Sequence, residues 1–102
     1  MAMKRAIMMD ARDNVATLIA EARTGEEVAI LPAGTPRVVR AAETIPFGFK
    51  IAVQDIPEGE IIRKYGETIG RATTAIARGA LVHIHNLEGT RARGDLEGRK
   101  AR

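Results

Sequence analysis

The chain's only two histidines stand two residues apart, in Val82-His83-Ile84-His85-Asn86. An imidazole is the side chain whose ordinary pKa lets it give or take a proton near neutral pH. Leu81, His83 and His85 alternate with Val82 and Ile84, so the spacing predicts a strand with both rings on one face. Two imidazoles so placed suit one zinc or iron(II) ion, with carboxylates, water or substrate in the remaining positions. The structural alternative is a partly buried pair bonded to backbone carbonyls. Two ligands do not close a site, so a metal here would draw others from a second chain. Asn86, beside the pair, can hydrogen-bond a polyol or carboxylate, or close a turn at the strand's end. Lys50, Lys64 and Arg71 each stand near a glycine and could hold an anion. The Tyr65 hydroxyl could donate to a substrate or simply keep a wet tip on a packed ring. With no cysteine, no Gly-rich phosphate loop and no Ser/His/Asp order, thiol and triad hydrolases are disfavoured.

These residues need positioning, and a repeated spacing supplies the elements. An apolar residue, Gly three positions on and another apolar three further recur as Ile45/Gly48/Ile51, Ile56/Gly59/Ile62 and Ile76/Gly79/Val82, with Ala22/Gly25/Val28 as a weaker copy. Ile45-Pro46-Phe47-Gly48 and Ile56-Pro57-Glu58-Gly59 read as type I turns with Pro second and Gly fourth, each feeding a strand. Further strands are predicted over Lys4 to Met9, Val28 to Leu31, Lys50 to Gln54, Glu60 to Lys64 and Thr68-Ile69, with Val38-Val39 as a strand or turn and a sharp turn at Tyr65-Gly66. Asp13 or Asn14 reads as the cap of a helix whose stripe is Val15, Leu18, Ile19 and Ala22 and whose end is Gly25. The expected fold class is therefore mostly β, with one short amphipathic helix near the N-terminus.

The chain has 102 residues, enough for one modest core, and a partner chain or a second copy of this one is expected to complete a site. Residues 90–102 hold five basic residues against Asp95 and Glu97, which accounts for the whole formal charge of +3. Residues 1–89 then form a neutral body with 90–102 as a basic tail. That tail reads as a solvated or partner-binding extension rather than a nucleic-acid arm. Three aromatic residues are poor supply for stacking on bases. No apolar run is long enough to cross a bilayer, and no signal-like segment opens the chain, so cytoplasmic is the expected location.

Taken together, Asp13-Asn14-Val15, Ile45-Pro46-x-Gly48-x-Lys50-x-Ala52, Ile56-x-x-Gly59, Lys64-Tyr65-Gly66-x-x-Ile69-Gly70-x-Ala72, Ile76-x-x-Gly79 and Val82-His83-x-His85-Asn86 resemble the SAF-type (β-clip) domain of altronate and galactarate dehydratases. They are also similar to the small subunit of sulfolactate sulfo-lyase, and Arg91-x-Arg93-Gly94-Asp95 resembles the segment after the His-x-His-Asn motif in separately encoded small subunits. The resemblance implies a β-clip fold and a lyase acting on a sugar acid, with a divalent metal, often iron(II), and a large dehydratase subunit supplying most of the site. By the same resemblance His83 and His85 would be metal ligands or acid/base groups, with Lys50 and Asn86 on the substrate side. One position departs: the family pattern has Gly-His-Lys where this chain has Gly48-Phe49-Lys50. A non-catalytic sugar-acid-binding or assembly module is the alternative that this exchange favours.

Overall fold

The structure, a computed structural model, describes residues 3–31 and 37–89; the basic segment over 90–102 lies outside the described residues. The described strands are β1 Lys4–Ile7, β2 Val15–Leu18, β3 Glu27–Leu31, β4 Arg37–Arg40, β5 Lys50–Ala52, β6 Ile61–Lys64, β7 Glu67–Ala72, β8 Leu81–Val82 and β9 Leu87–Gly89. Six form one sheet in the order β4-β3-β1-β2-β5-β8, in which only β1 and β3 run parallel. The antiparallel β6, β7 and β9 form a second sheet, with a bulge between Ile62 and Arg63. The chain is mostly β, as the turns and alternation predict.

All four copies of the apolar/Gly/apolar spacing are present, and they are the frame. Ala22, Val28, Ile45, Ile51, Ile56, Ile62, Ile76 and Val82 are each 3% exposed or less. In every copy the amide after the glycine donates to the carbonyl three residues back: Glu26 to Arg23, Phe49 to Pro46, Glu60 to Pro57 and Ala80 to Ala77. The turn therefore starts one residue later than a type I reading places it, with Gly third rather than fourth. Gly25, Gly48, Gly59 and Gly79 have φ between 85° and 91°, the sign a type II turn requires at its third position. The copies also pair. Ala22 and Ile45 exchange two backbone hydrogen bonds, and so do Ile56 and Ile76.

The first pair of copies feeds one core, with Ala6, Leu18, Ile30 and Val39, while the second feeds another, with Val15, Ala52 and Ala72. Each isoleucine or valine so buried contributes about 1.5–3 kcal/mol. Strands β2 and β5 form the wall between the two cores: Ala16, Leu18 and Ile51 face the first, Val15 and Ala52 the second.

That wall explains why the helix expected from Asp13 to Gly25 is absent. No helix occurs among the described residues; the segment is β2 followed by the first turn. A strand buried on both sides is apolar nearly throughout and has no period of two to betray it, and Val15, Leu18, Ile19 and Ala22 imitate a helical stripe. Ile19, at 46% exposed, is not part of any buried stripe.

The turn glycines differ in a testable way. A Cβ at Gly59 would meet nothing within 4 Å, whereas at Gly79 it would run into the Arg40 carbonyl oxygen. Gly59→Ala is expected to cost about 1–2 kcal/mol, the left-handed penalty alone, and Gly79→Ala clearly more. Urea denaturation of the two variants measures the difference, and equal losses would mean the Arg40 contact yields freely.

Candidate functional site

The two histidines do not sit on a strand. β8 ends at Val82, the chain turns over His83 to Asn86, and it returns as β9. The expected alternation along Leu81–His85 is thus corrected: strand geometry does not set the direction of the rings. His83 is half-buried, its ring 4.6 Å from that of Phe49 at 50° between planes. His85 is exposed, and Ile84 between them is 80% exposed.

Asn86 makes this turn. Its side chain is 6% exposed, Oδ1 accepts from the His83 amide at 2.9 Å, and Nδ2 donates to the Leu81 carbonyl at 2.9 Å. A carboxamide offers the N–H and C=O of a peptide unit, so it stands in for the strand neighbour that β8 lacks. The amides of Asn86 and Leu87 both donate to the His83 carbonyl, and the Asn86 carbonyl accepts from Thr73, tying the turn to the end of β7. Of the two roles open to Asn86, its contacts are those of turn closure.

Lys50 lies apart from the imidazoles. It stands opposite Thr17 of β2 and Val82 of β8, so its side chain leaves β5 on the Val82 side. Phe49, one residue along, packs on the first core on the other side, and the His83 ring lies against it. Lys50 is half-buried, and burial lowers its pKa, with the nearby Lys64 charge acting in the same direction. Lys64 lines an open groove of about 490 Å³ with Tyr65, Glu67, Thr68 and Ile69, and its Nζ lies 5.1 Å from the Tyr65 ring centre. Arg71 is exposed on β7.

Asp13 and Asn14, read from sequence as a helix cap, do accept from free amides, but those of the preceding turn and of a distant hairpin. The Asp13 carboxylate accepts from the amides of Met9, Asp10, Tyr65 and Gly66. Asn14 accepts from the Arg63 amide and donates to the Ile61 carbonyl. Both are at most 2% exposed. They clamp the β6–β7 hairpin to the start of β2 and hold Tyr65 at φ 56°, a left-handed conformation unusual for a non-glycine.

Among the described residues no three His, Cys, Asp or Glu side chains gather closely enough to hold a metal. The described residues would therefore supply at most two ligands to such a centre. Among the same residues no helix is long and apolar enough to cross a membrane.

An all-β body built from paired glycine turns, with an imidazole turn at one end, is what comparison with known proteins meets. The chain belongs to the family described as the altronate/galactarate dehydratase SAF domain, whose model matches residues 4–90. It is 38% identical over 80 residues to altronate dehydratase of Escherichia coli, covering 78% of this chain and 15% of that one. With altronate dehydratase of Bacillus subtilis it is 33% identical over 84 residues, 82% of this chain and 16% of the relative. It is 41% identical over 46 residues to (2R)-sulfolactate sulfo-lyase subunit alpha of Chromohalobacter salexigens, 45% of this chain and 49% of that subunit. The matched stretch thus spans about a sixth of the dehydratases and half of the sulfo-lyase subunit.

Proposed function

We propose that this chain is the small subunit of a two-chain hydro-lyase that dehydrates a sugar acid such as altronate or galactarate, and that it is inactive alone. The observation that carries this reading is the exposed His85 beside the half-buried His83, in a turn that the buried Asn86 holds rigidly. Family membership supports the reaction class, and the small share of each dehydratase that the chain spans supports a larger partner that brings the rest of the site. Dehydration of such an acid removes the proton α to the carboxylate and expels the β-hydroxyl as water. An imidazole with a pKa near neutrality suits either proton transfer. His85, facing outward, reaches toward the partner's part of the site, and His83 is steadied by Phe49. A divalent metal, with iron(II) as the candidate, would be held by these two imidazoles and by ligands of the larger chain, and would supply charge to offset the developing enolate. Asn86 acts by holding the turn. Lys50, on the other face of β5, stands apart from the proton-transfer groups and suits a carboxylate.

The test is reconstitution with a large dehydratase-like chain encoded beside this one, assaying altronate and galactarate. Turnover is expected only when both chains are present. Turnover by the large chain alone, or none by the mixture with either acid, would end the proposal. Phe49, standing where the family pattern has histidine, favours the second reading, an assembly or sugar-acid-binding module without catalytic groups. That reading requires the assembled enzyme to work without either imidazole.

A further inference from the structure

Tyr65 occupies a place in its turn that turn chemistry gives to other residues. Lys64 and Glu67 stand opposite each other at the end of the β6–β7 pair, and the two residues between them, Tyr65 and Gly66, have φ 56° and 80°. Two positive φ values in a two-residue hairpin connection are those of a type I′ turn, whose favoured sequences are Asn-Gly and Asp-Gly. Gly66 fits, whereas a tyrosine in the left-handed region is strained. The chain holds it there all the same, because the Tyr65 and Gly66 amides both donate to the buried Asp13 carboxylate. Core packing does not account for the choice, since Tyr65 is 43% exposed. A strained residue that its surroundings keep in place points to a use beyond folding.

That use is visible in what the hairpin tip presents. The groove of about 490 Å³ there is lined by Lys64, Tyr65, Glu67, Thr68 and Ile69, a size within the range of small-molecule sites. Among the described residues the ion pairs are Lys4–Glu26, Arg12–Asp10 and Arg40–Glu27, so neither Lys64 nor Glu67 is engaged in one. One ammonium and one carboxylate leave the groove without net charge, which disfavours a bare anion or cation as its occupant. Two neighbouring hydroxyls suit it: one accepts from Lys64, the next donates to Glu67, and Thr68 can do either. The C–H face beneath them lies on the Tyr65 ring, beside which the Lys64 ammonium already stands at 5.1 Å from the ring centre. We propose that the tip of the β6–β7 hairpin is a carbohydrate-binding groove, in which the Tyr65 ring takes the C–H face of a polyhydroxylated ligand while Lys64 and Glu67 read a vicinal pair of its hydroxyls. The groove is distinct from the imidazole turn. β9 leaves that turn opposite Ala72, and Thr68 lies four residues back along β7, about 13 Å at the rise of a strand. The inference therefore goes beyond the proposed reaction and does not rest on it.

The chain has one tyrosine and no tryptophan, so its intrinsic fluorescence reports on this groove alone. The experiment titrates the full chain with galactose, galactitol, cyclohexanol and acetate. The two polyols are expected to change the Tyr65 emission saturably, while cyclohexanol, which has no second hydroxyl, and acetate, which has none, do not. Lys64→Ala and Glu67→Ala should each weaken polyol binding tenfold or more, and Arg71→Ala, exposed on β7 outside the groove, should leave it unchanged. Tyr65→Asn is the sharpest probe, read by the amide resonance of Thr68. It supplies the residue that the turn prefers, so the melting temperature should hold or rise while polyol binding falls tenfold or more. No response to either polyol, an equal response to cyclohexanol or acetate, or a Tyr65→Asn chain that melts lower or binds as well overturns the site. None of these readouts involves a second chain or turnover, so their failure is distinct from failure of the hydro-lyase proposal.

Discussion

Changing His85 to alanine in the proposed two-chain enzyme is expected to lower kcat by about 100-fold or more, the usual scale for removing a general acid or base, without moving the melting temperature. The second half of that expectation comes from position. His85 is exposed in a turn whose hydrogen bonds are made by the Asn86 side chain and by the backbone of His83, Asn86 and Leu87. Surface substitutions of this kind usually stay within about 0.5 kcal/mol. His83→Ala should differ, because it also removes a ring packed on Phe49, an aromatic contact worth about 0.5–1.5 kcal/mol beyond its buried area. A loss of turnover in His83→Ala alone would therefore be ambiguous, whereas in His85→Ala it is not. The measurements are kcat for the two-chain complex with altronate or galactarate, and thermal denaturation of the small chain. Full turnover by both His85→Ala and His83→Ala complexes would leave the assembly-module reading standing and remove the catalytic one.

How far the sequence foretells this arrangement depends on the range of the interaction involved. Glycine at the third place of a turn is a local requirement, so the Gly48, Gly59 and Gly79 copies are legible, and even the one-residue error in turn type leaves the strands after them in place. The Gly25 copy is obscured because the strand before it, Val15 to Leu18, is buried by two different cores, and burial on two sides erases the signature of a strand. The His83-to-Asn86 turn is obscured for the opposite reason. Leu81 to His85 alternates well enough for a strand, but Asn86 folds back on Leu81 and His83 and ends β8 after two residues. Asp13 and Asn14 are legible as acceptors for free amides; what local sequence cannot supply is that three of those amides, of Arg63, Tyr65 and Gly66, lie some fifty positions away. The opposition of Thr17 and Lys50 is likewise a fact of strand register. It places Lys50 across β5 from the His83 ring, with which resemblance groups it.

The same long reach makes Asp13 the polar residue whose loss should cost the fold most. Its carboxylate is 1% exposed and accepts from four backbone amides, at 3.2 Å from Met9, 3.1 Å from Asp10, 2.9 Å from Tyr65 and 2.8 Å from Gly66. Asp13→Ala leaves those donors facing a vacated, largely dry space, and each buried donor left unmade costs about 1–3 kcal/mol. Releasing Tyr65 from a backbone conformation that a non-glycine adopts at a cost of about 1–2 kcal/mol offsets part of that loss. Water entering the gap will recover part of this, so the net loss expected is about 3–5 kcal/mol, a large fraction of the roughly 5–15 kcal/mol that holds a small domain together. Asp13→Asn is expected to be only a partial remedy, because one of its two acceptors becomes a donor pointed at other donors. Urea denaturation gives the magnitudes, and amide exchange shows where the damage lies: protection should fall first at Tyr65 and Gly66, the tip of the hairpin that carries Lys64. A loss under about 1 kcal/mol, with that tip still protected, would mean that the two turns hold their shape on their own and that the clamp between them is incidental.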